Sequence, residues 1–299
     1  HIFRMSLILN GKELASIISA EIAQQTAVLA TKPRLAIILV GNNLASEIYI
    51  RNKISCAKSL NIETQLIRLP STATKNNILE IIKSLNEDPT INGIIVQAPL
   101  PNKNFQESVF EAIDPQKDVD GFTPANIGRL CNGNRNCLVA CTPLGIWKLL
   151  SYYNISLSGK HVVILGRSRI VGRPLSILLS QKFEGCNATV TVCNSQTKHL
   201  AEIAQSGDIL ISAIGNPKFV TKNMIKDGAV VVDVGINRIP DNTCPKGYRL
   251  SGDVDFEHVQ EICSAITPVP GGVGPMTIAM LMHNTLQAFE LQNKRPLTK

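Results

Sequence analysis

Tyr49 and Lys53 stand four residues apart in a stretch that reads as a helix, so their side chains share one face. Gln97 ends an apolar run that reads as a strand, and Asp118 and Asp120 follow in a loop. Ligands in open parallel sheets gather outside the carboxyl ends of the strands, where these groups can converge. Each group also has a plainer reading on its own. A Tyr/Lys pair on a helix is commonly surface decoration, and loop aspartates commonly cap turns.

A second set of residues surrounds a glycine turn. The apolar run His161-Val162-Val163-Ile164-Leu165 leads straight into Gly166-Arg167-Ser168-Arg169-Ile170-Val171-Gly172-Arg173-Pro174, and a helical pattern follows at 175–179. Strand, glycine turn and helix together present backbone N–H groups and a helix N-terminus to a pyrophosphate. Ser168 stands where the usual G-x-G-x-x-G has its second glycine, and the last glycine is displaced. The next strand ends Val192-Cys193-Asn194-Ser195, without the Asp or Glu that binds ribose hydroxyls in NAD sites. Arg167 and Ser195 suit a 2′-phosphate instead, so NADP is favoured over NAD. Arg167 retains the alternative of a solvated loop arginine.

Strand and helix signals alternate from about residue 34, which predicts an α/β fold of parallel sheets with crossover helices. Helices are expected at 11–29, 46–60, 75–86 and 143–153, and strands at 34–40, 62–69, 91–97, 161–165, 188–192, 208–213 and 229–234. The first helix is expected to bury Leu14, Ile17, Ile18 and Ile22 on one face. Residues 114–145 read as loops with short helical pieces. These elements divide into an N-terminal α/β substrate domain at 5–145 and a Rossmann-like dinucleotide-binding domain at 146–274, with a cleft expected between them. A last helix at about 275–292 is open to packing back on either domain, the first included.

The composition fits such an architecture. The 299 residues are 44% hydrophobic and 18% charged, an ordinary globular balance. The net charge of +7 reads as a solvated basic surface or as attraction for an anionic small ligand. Nucleic acid is disfavoured, because the basic residues are scattered and only 4% of residues are aromatic. No apolar run reaches the roughly 20 residues that span a bilayer, so no membrane partner is expected. The N-terminal His1-Ile2-Phe3-Arg4-Met5 lacks a signal peptide's apolar core, with Met5 a candidate natural start. The eight cysteines form no C-x-x-C pair and have no zinc-ligand spacing, so reduced thiols in a cytoplasmic protein and no metal are expected.

Taken together, these segments resemble the bifunctional methylenetetrahydrofolate dehydrogenase/cyclohydrolase family. The resemblance rests on Tyr49-Ile50-Arg51-Asn52-Lys53, Val96-Gln97-Ala98-Pro99-Leu100-Pro101, Asp118-Val119-Asp120-Gly121-Phe122 and Cys141-Thr142-Pro143-Leu144-Gly145. In the second half it rests on the 166–174 turn, Val232-Asp233-Val234-Gly235-Ile236-Asn237, Gly252-Asp253-Val254 and Pro268-Val269-Pro270-Gly271-Gly272-Val273-Gly274-Pro275-Met276-Thr277. It runs from Gly11 to Thr285 in the family's order. Ala98 replaces a commonly larger apolar residue, and Leu144 stands where the family often has a polar one.

The resemblance implies oxidation of 5,10-methylenetetrahydrofolate with a nicotinamide cofactor, then hydrolysis of the methenyl product to 10-formyltetrahydrofolate, a supply for purine biosynthesis. It implies Lys53 as general base, Tyr49 packed on the substrate ring, Gln97 holding the lysine, and Asp120 binding the pterin, with Asp118 bracing its loop. Val96, Ala98, Pro270, Gly271 and Gly272 join the implied folate contacts. Gly166, Arg167, Ser168, Ser195, Ile236 and Gly274 are the implied cofactor contacts. A homodimer is also implied. Two other readings stay open on the residues themselves. One is a two-domain dehydrogenase of a hydroxy acid or quinate-like substrate, and the other is a non-catalytic binding protein.

Overall fold

The computed structural model describes residues 6–134, 136–244 and 247–293, so the reading of residues 1–5 lies outside the described residues. The chain divides into two compact units: residues 16–141 with those from 278 onward, and the N-terminal segment to residue 15 with 142–277.

The first unit is built on a three-stranded parallel sheet with Arg34–Val40 in the middle, Glu63–Leu69 on one side and Gly93–Val96 on the other. Residues 35–40 are Leu-Ala-Ile-Ile-Leu-Val, and all are at most 4% exposed. A strand covered on both faces needs such a continuous apolar run. The helices Leu44–Ser59 and Lys75–Glu87 make the crossovers. The second begins at a capping box between Thr74 and Asn77 and buries Ile78, Ile82 and Leu85, spaced to share one face. The chain leaves the central strand to one side and later returns on the other. That reversal opens a crevice at the carboxyl end of the middle strand, where α/β sheets bind ligands.

The C-terminal helix Val273–Asn293 contributes its residues from 278 onward to this unit. There the Asn284 amide donates to the Val119 and Val139 carbonyls at 2.9 and 2.8 Å. Gln292 donates to the carbonyls of Asn92 and Gln116 at 2.9 and 3.0 Å.

The second unit holds a six-stranded sheet in the order Leu7–Ile8, Ala265–Ile266, Val230–Asp233, Ile209–Ser212, His161–Leu165, Thr189–Cys193, with every pairing parallel. Counted from His161–Leu165, the order is that of a doubly wound sheet with its reversal at that strand. Its core is aliphatic, with Val163, Leu165, Leu210, Val231 and Ile266 each at most 1% exposed.

Three expectations need correction. Residues 6–15 were expected in the first domain, but Leu7–Ile8 pairs with Ala265–Ile266 and extends the second sheet. Ile17 is 39% exposed while Leu14, Ile18 and Ile22 are buried. Adjacent helical positions lie about 100° apart, so Ile17 and Ile18 do not share a narrow stripe. An antiparallel hairpin, Asn237–Pro240 with Tyr248–Ser251, interrupts the parallel pattern where the sequence is too polar to signal a strand.

Candidate active site

The Leu44–Ser59 helix starts at the carboxyl end of the middle strand of the first unit and sets Tyr49 and Lys53 one turn apart. The Lys53 Nζ donates to Gln97 Oε1 at 3.0 Å. Gln97 follows the Gly93–Val96 strand and continues its ladder, its N–H donating to Ile38 O at 2.9 Å. Its Nε2 donates to the Ala98 carbonyl at 2.7 Å, which turns the amide oxygen toward the lysine. Tyr49 is 39% exposed on the same helix face, open to a ligand. The Val96 side chain is 2% exposed within the core, so only its backbone can meet a ligand, whereas Ala98 is half-buried at that core's margin.

Asp120 belongs to a loop fixed from three directions. The Lys117 ammonium donates to the carbonyls of Leu85, Asn86 and Asp88 at 2.7–2.9 Å, holding the loop to the C-terminus of the Lys75–Glu87 helix. The Asp118 carboxylate, 1% exposed, accepts the N–H groups of Gly121, Phe122 and Thr123 and the Asn126 amide at 2.8–3.1 Å. Asn284 holds Val119 from the other side. Gly121 has φ +74, and a Cβ there would lie 2.4 Å from Ala140 N, so glycine alone fits.

Burial pushes the Asp120 carboxyl up to about 6; the charge of Lys53 opposes the rise and Asp118 adds to it. Lys53, Gln97 and Asp120 therefore share one electrostatic neighbourhood. The thiol of Cys141 donates to Val119 O at 3.2 Å. Burial pushes that thiol well up, helped by the negative charge of Asp120, so it remains protonated.

In the second unit the glycine turn is shaped by backbone contact. Gly166 has φ +110, and a Cβ on it would lie 2.4 Å from Ala213 O; one on Gly172 would lie 2.1 Å from Gly166 O. The Ser168 hydroxyl accepts the N–H groups of Val171 and Gly172 at 3.1 and 3.4 Å. Those N–H groups, expected to face a pyrophosphate, are satisfied by the chain itself, and the serine proton remains to donate.

Gly166, Arg167 and Ser168 line a cavity of 580 Å³ together with Ser195 and Thr197 of the next turn, Ile214 and Asn216 of a third, and Phe219. Among the described residues lining it there is no Asp or Glu. A guanidinium, hydroxyls and apolar walls without a carboxylate fit a phosphorylated dinucleotide. Ile236 and Gly274 are neighbours, a Cβ on Gly274 lying 3.4 Å from Ile236 Cδ1, but they do not line this cavity. In the Pro270-Gly271-Gly272 turn, Gly271 has φ +107 and its carbonyl accepts the Lys12 N–H at 2.9 Å. A Cβ on Gly272 would lie 2.5 Å from Pro268 O, and one on Gly11 would lie 1.9 Å from Gly272 O. These glycines let two backbones of this unit meet.

Sequence reasoning missed Thr197, Asn216 and Phe219 in the cavity wall, and the supporting roles of Lys117 and Asn284. The Asn194-x-x-Thr197 turn carried a readable signal, since Thr197 Oγ1 accepts the Asn194 N–H at 2.9 Å. Among the described residues no group of three or more His, Cys, Asp or Glu could hold a metal ion, and no helix is long and apolar enough to cross a membrane.

The doubly wound sheet and its cavity put the chain in the class of two-unit α/β dehydrogenases that use a nicotinamide dinucleotide. The tetrahydrofolate dehydrogenase/cyclohydrolase catalytic domain matches residues 9–120, and the NAD(P)-binding domain of the same family matches residues 140–293. The bifunctional protein FolD of Chlorobium phaeovibrioides is 50% identical over 289 residues, covering 95% of this chain and 98% of that protein. The solved FolD methylenetetrahydrofolate dehydrogenase/cyclohydrolase of Campylobacter jejuni is similar at TM-score 0.90 and 42% identity, covering 96% of this chain and 99% of that one. The Trypanosoma brucei enzyme, solved with NADP and an inhibitor, is similar at TM-score 0.91 and 35% identity, covering 97% and 99%. The chain belongs to the tetrahydrofolate dehydrogenase/cyclohydrolase family.

Proposed function

We propose that the chain oxidises 5,10-methylenetetrahydrofolate to 5,10-methenyltetrahydrofolate with NADP and hydrolyses that product to 10-formyltetrahydrofolate. The observation that carries this reading is the 3.0 Å bond from Lys53 to Gln97 beside Asp120, at the crevice of the first sheet.

Asp120, ionised at neutral pH, accepts two parallel N–H bonds from the pterin's aminopyrimidinone edge. Tyr49 packs on the folate ring, with Ala98 and the Val96 backbone as further folate contacts. The NADP site is Gly166, Arg167, Ser168 and Ser195, with Arg167 and Ser195 directed to the 2′-phosphate and Ile236 and Gly274 as additional contacts. When bound, NADP supplies the hydride acceptor. For hydrolysis, Lys53 is the general base toward the water that attacks the methenyl carbon, and Gln97 keeps its Nζ in place. The carbon–nitrogen bond then opens as the hydroxyl proton of the adduct passes to the departing nitrogen, which leaves the formyl group on the other nitrogen.

The test is a spectrophotometric assay of 5,10-methylenetetrahydrofolate with NADP or NAD, following reduced cofactor and, after acid quench, methenyl absorbance. Turnover with a preference for NADP is expected; no turnover with either cofactor overturns the reading. A homodimer is part of the same proposal. Glu63–Leu69 lies at the edge of its sheet, where a second copy's strand can pair. Light scattering on the eluted protein would give twice the chain mass.

A further inference from the structure

Asp253 takes no part in the chemistry above, yet it organises one wall of the dinucleotide cavity. It follows the Tyr248–Ser251 strand and is 0% exposed. Its carboxylate gathers five donors. Oδ2 accepts the N–H groups of Ile214 and Gly215 at 2.9 and 3.1 Å and the Ser212 hydroxyl at 3.2 Å. Oδ1 accepts the Asn216 N–H at 3.0 Å and the Asn237 amide at 3.1 Å.

Three successive backbone N–H groups aimed at one anion form a nest, and the φ of +70 at Gly215 lets the chain curl that way. The nest stands at the carboxyl end of Ile209–Ser212, the end where such sheets hold phosphates. Here the chain's own carboxylate fills it, and Ile214 and Asn216 are left facing the 580 Å³ cavity.

A reciprocal fit holds the carboxylate in place. A Cβ on Gly235 would lie 2.2 Å from Asp253 Oδ1, and one on Gly252 would lie 1.8 Å from Asp233 Oδ2. Asp233 in turn accepts the N–H groups of Gly235, Asp253 and Val254, each at 2.9 Å. Each aspartate occupies the space that the other segment's glycine leaves.

We propose that Asp253 is a positioning residue for the dinucleotide: it fixes the 214–216 wall of the cavity while touching no ligand itself. The proposal rests on reading that cavity as the NADP site. In Asp253→Asn, an NH₂ group faces N–H donors in place of one carboxylate oxygen, so the wall loses its anchor at nearly constant side-chain volume. The KM for NADP is expected to rise about tenfold or more, the scale of losing charged hydrogen bonds. The kcat at saturating NADP and the KM for 5,10-methylenetetrahydrofolate are expected to stay within about twofold, because the ligand-contacting groups remain.

Ser212→Ala supplies a second variant, which keeps the carboxylate and removes one of its five donors at nearly constant volume, with the same direction and a smaller rise. It decides the matter where Asp253→Asn does not fold. An unchanged KM for NADP, or a fall in kcat alone, overturns the proposal, since that is what loss of folded enzyme produces. Wild-type protein without NADP-dependent turnover overturns the NADP reading itself and is distinguishable from either result.

Discussion

At the scale of single residues, the proposed reading gives three side chains separable tasks. Lys53→Ala removes the proposed proton acceptor, so methenyl hydrolysis should fall roughly 10²- to 10⁴-fold, the range of a lost general base. Normal hydrolysis by that variant would sink the assignment. Arg167→Ala should raise the KM for NADP much more than that for NAD, since only NADP has the 2′-phosphate; equal effects would remove that role. Asp120 is tied to pH. Burial holds its carboxyl at about 6 against an ordinary value near 3.8, so the folded chain binds that proton more tightly than the unfolded chain. Its ionisation costs the fold stability, the cost growing from pH 4 to 6 and present in full above 6. Asp120→Asn should therefore raise stability at pH 7 by roughly 1–3 kcal/mol in denaturant titration. The same variant should lose folate affinity, and wild-type folate affinity should weaken as pH falls through about 6. A variant that binds folate normally would remove Asp120 from the pterin site.

At the scale of elements, the groups that place Asp120 are as informative as Asp120 itself. Lys117 is 7% exposed and its ammonium serves three carbonyls at the end of the Lys75–Glu87 helix. Lys117→Met keeps the stem and leaves those carbonyls without their donor. A loss of about 2–4 kcal/mol is expected in urea unfolding, with weaker folate binding because the loop loses an anchor. Unaltered stability would show that water replaces the ammonium. This kind of support is hard to read from sequence. The strands 34–40 and 161–165 are legible because burial on both faces demands an unbroken apolar run. The pairing of Leu7–Ile8 with Ala265–Ile266 is not, since two residues carry no periodicity and the partner is far along the chain. Lys53 and Gln97 are legible as a helix face and a strand end. The Asp233–Asp253 clasp shows in sequence only as two short glycine–aspartate motifs, whose meaning depends on Gly235 and Gly252 lying where the opposite carboxylate needs room.

At the scale of the molecule, each unit has a core of its own. One is gathered around Ile38, Ile82, Ile94 and Val109, the other around Val163, Leu210, Val231 and Ile266. A chain with two cores is not bound to unfold in a single two-state step. Calorimetry should resolve two components, and a ligand held by one unit should move that component alone. NADP at about 100 times its Kd adds about 2.7 kcal/mol to the form that binds it. For a unit of this size that raises Tm by roughly 5–10 °C. The component that moves should be that of the six-stranded unit, because the whole lining of the 580 Å³ cavity belongs to it. Arg167→Ala should shrink the shift at the same NADP concentration by weakening the contact to the 2′-phosphate. If both components moved together by equal amounts, the two cores would be one cooperative block, and the assignment of NADP binding to a single unit would lose its thermodynamic support.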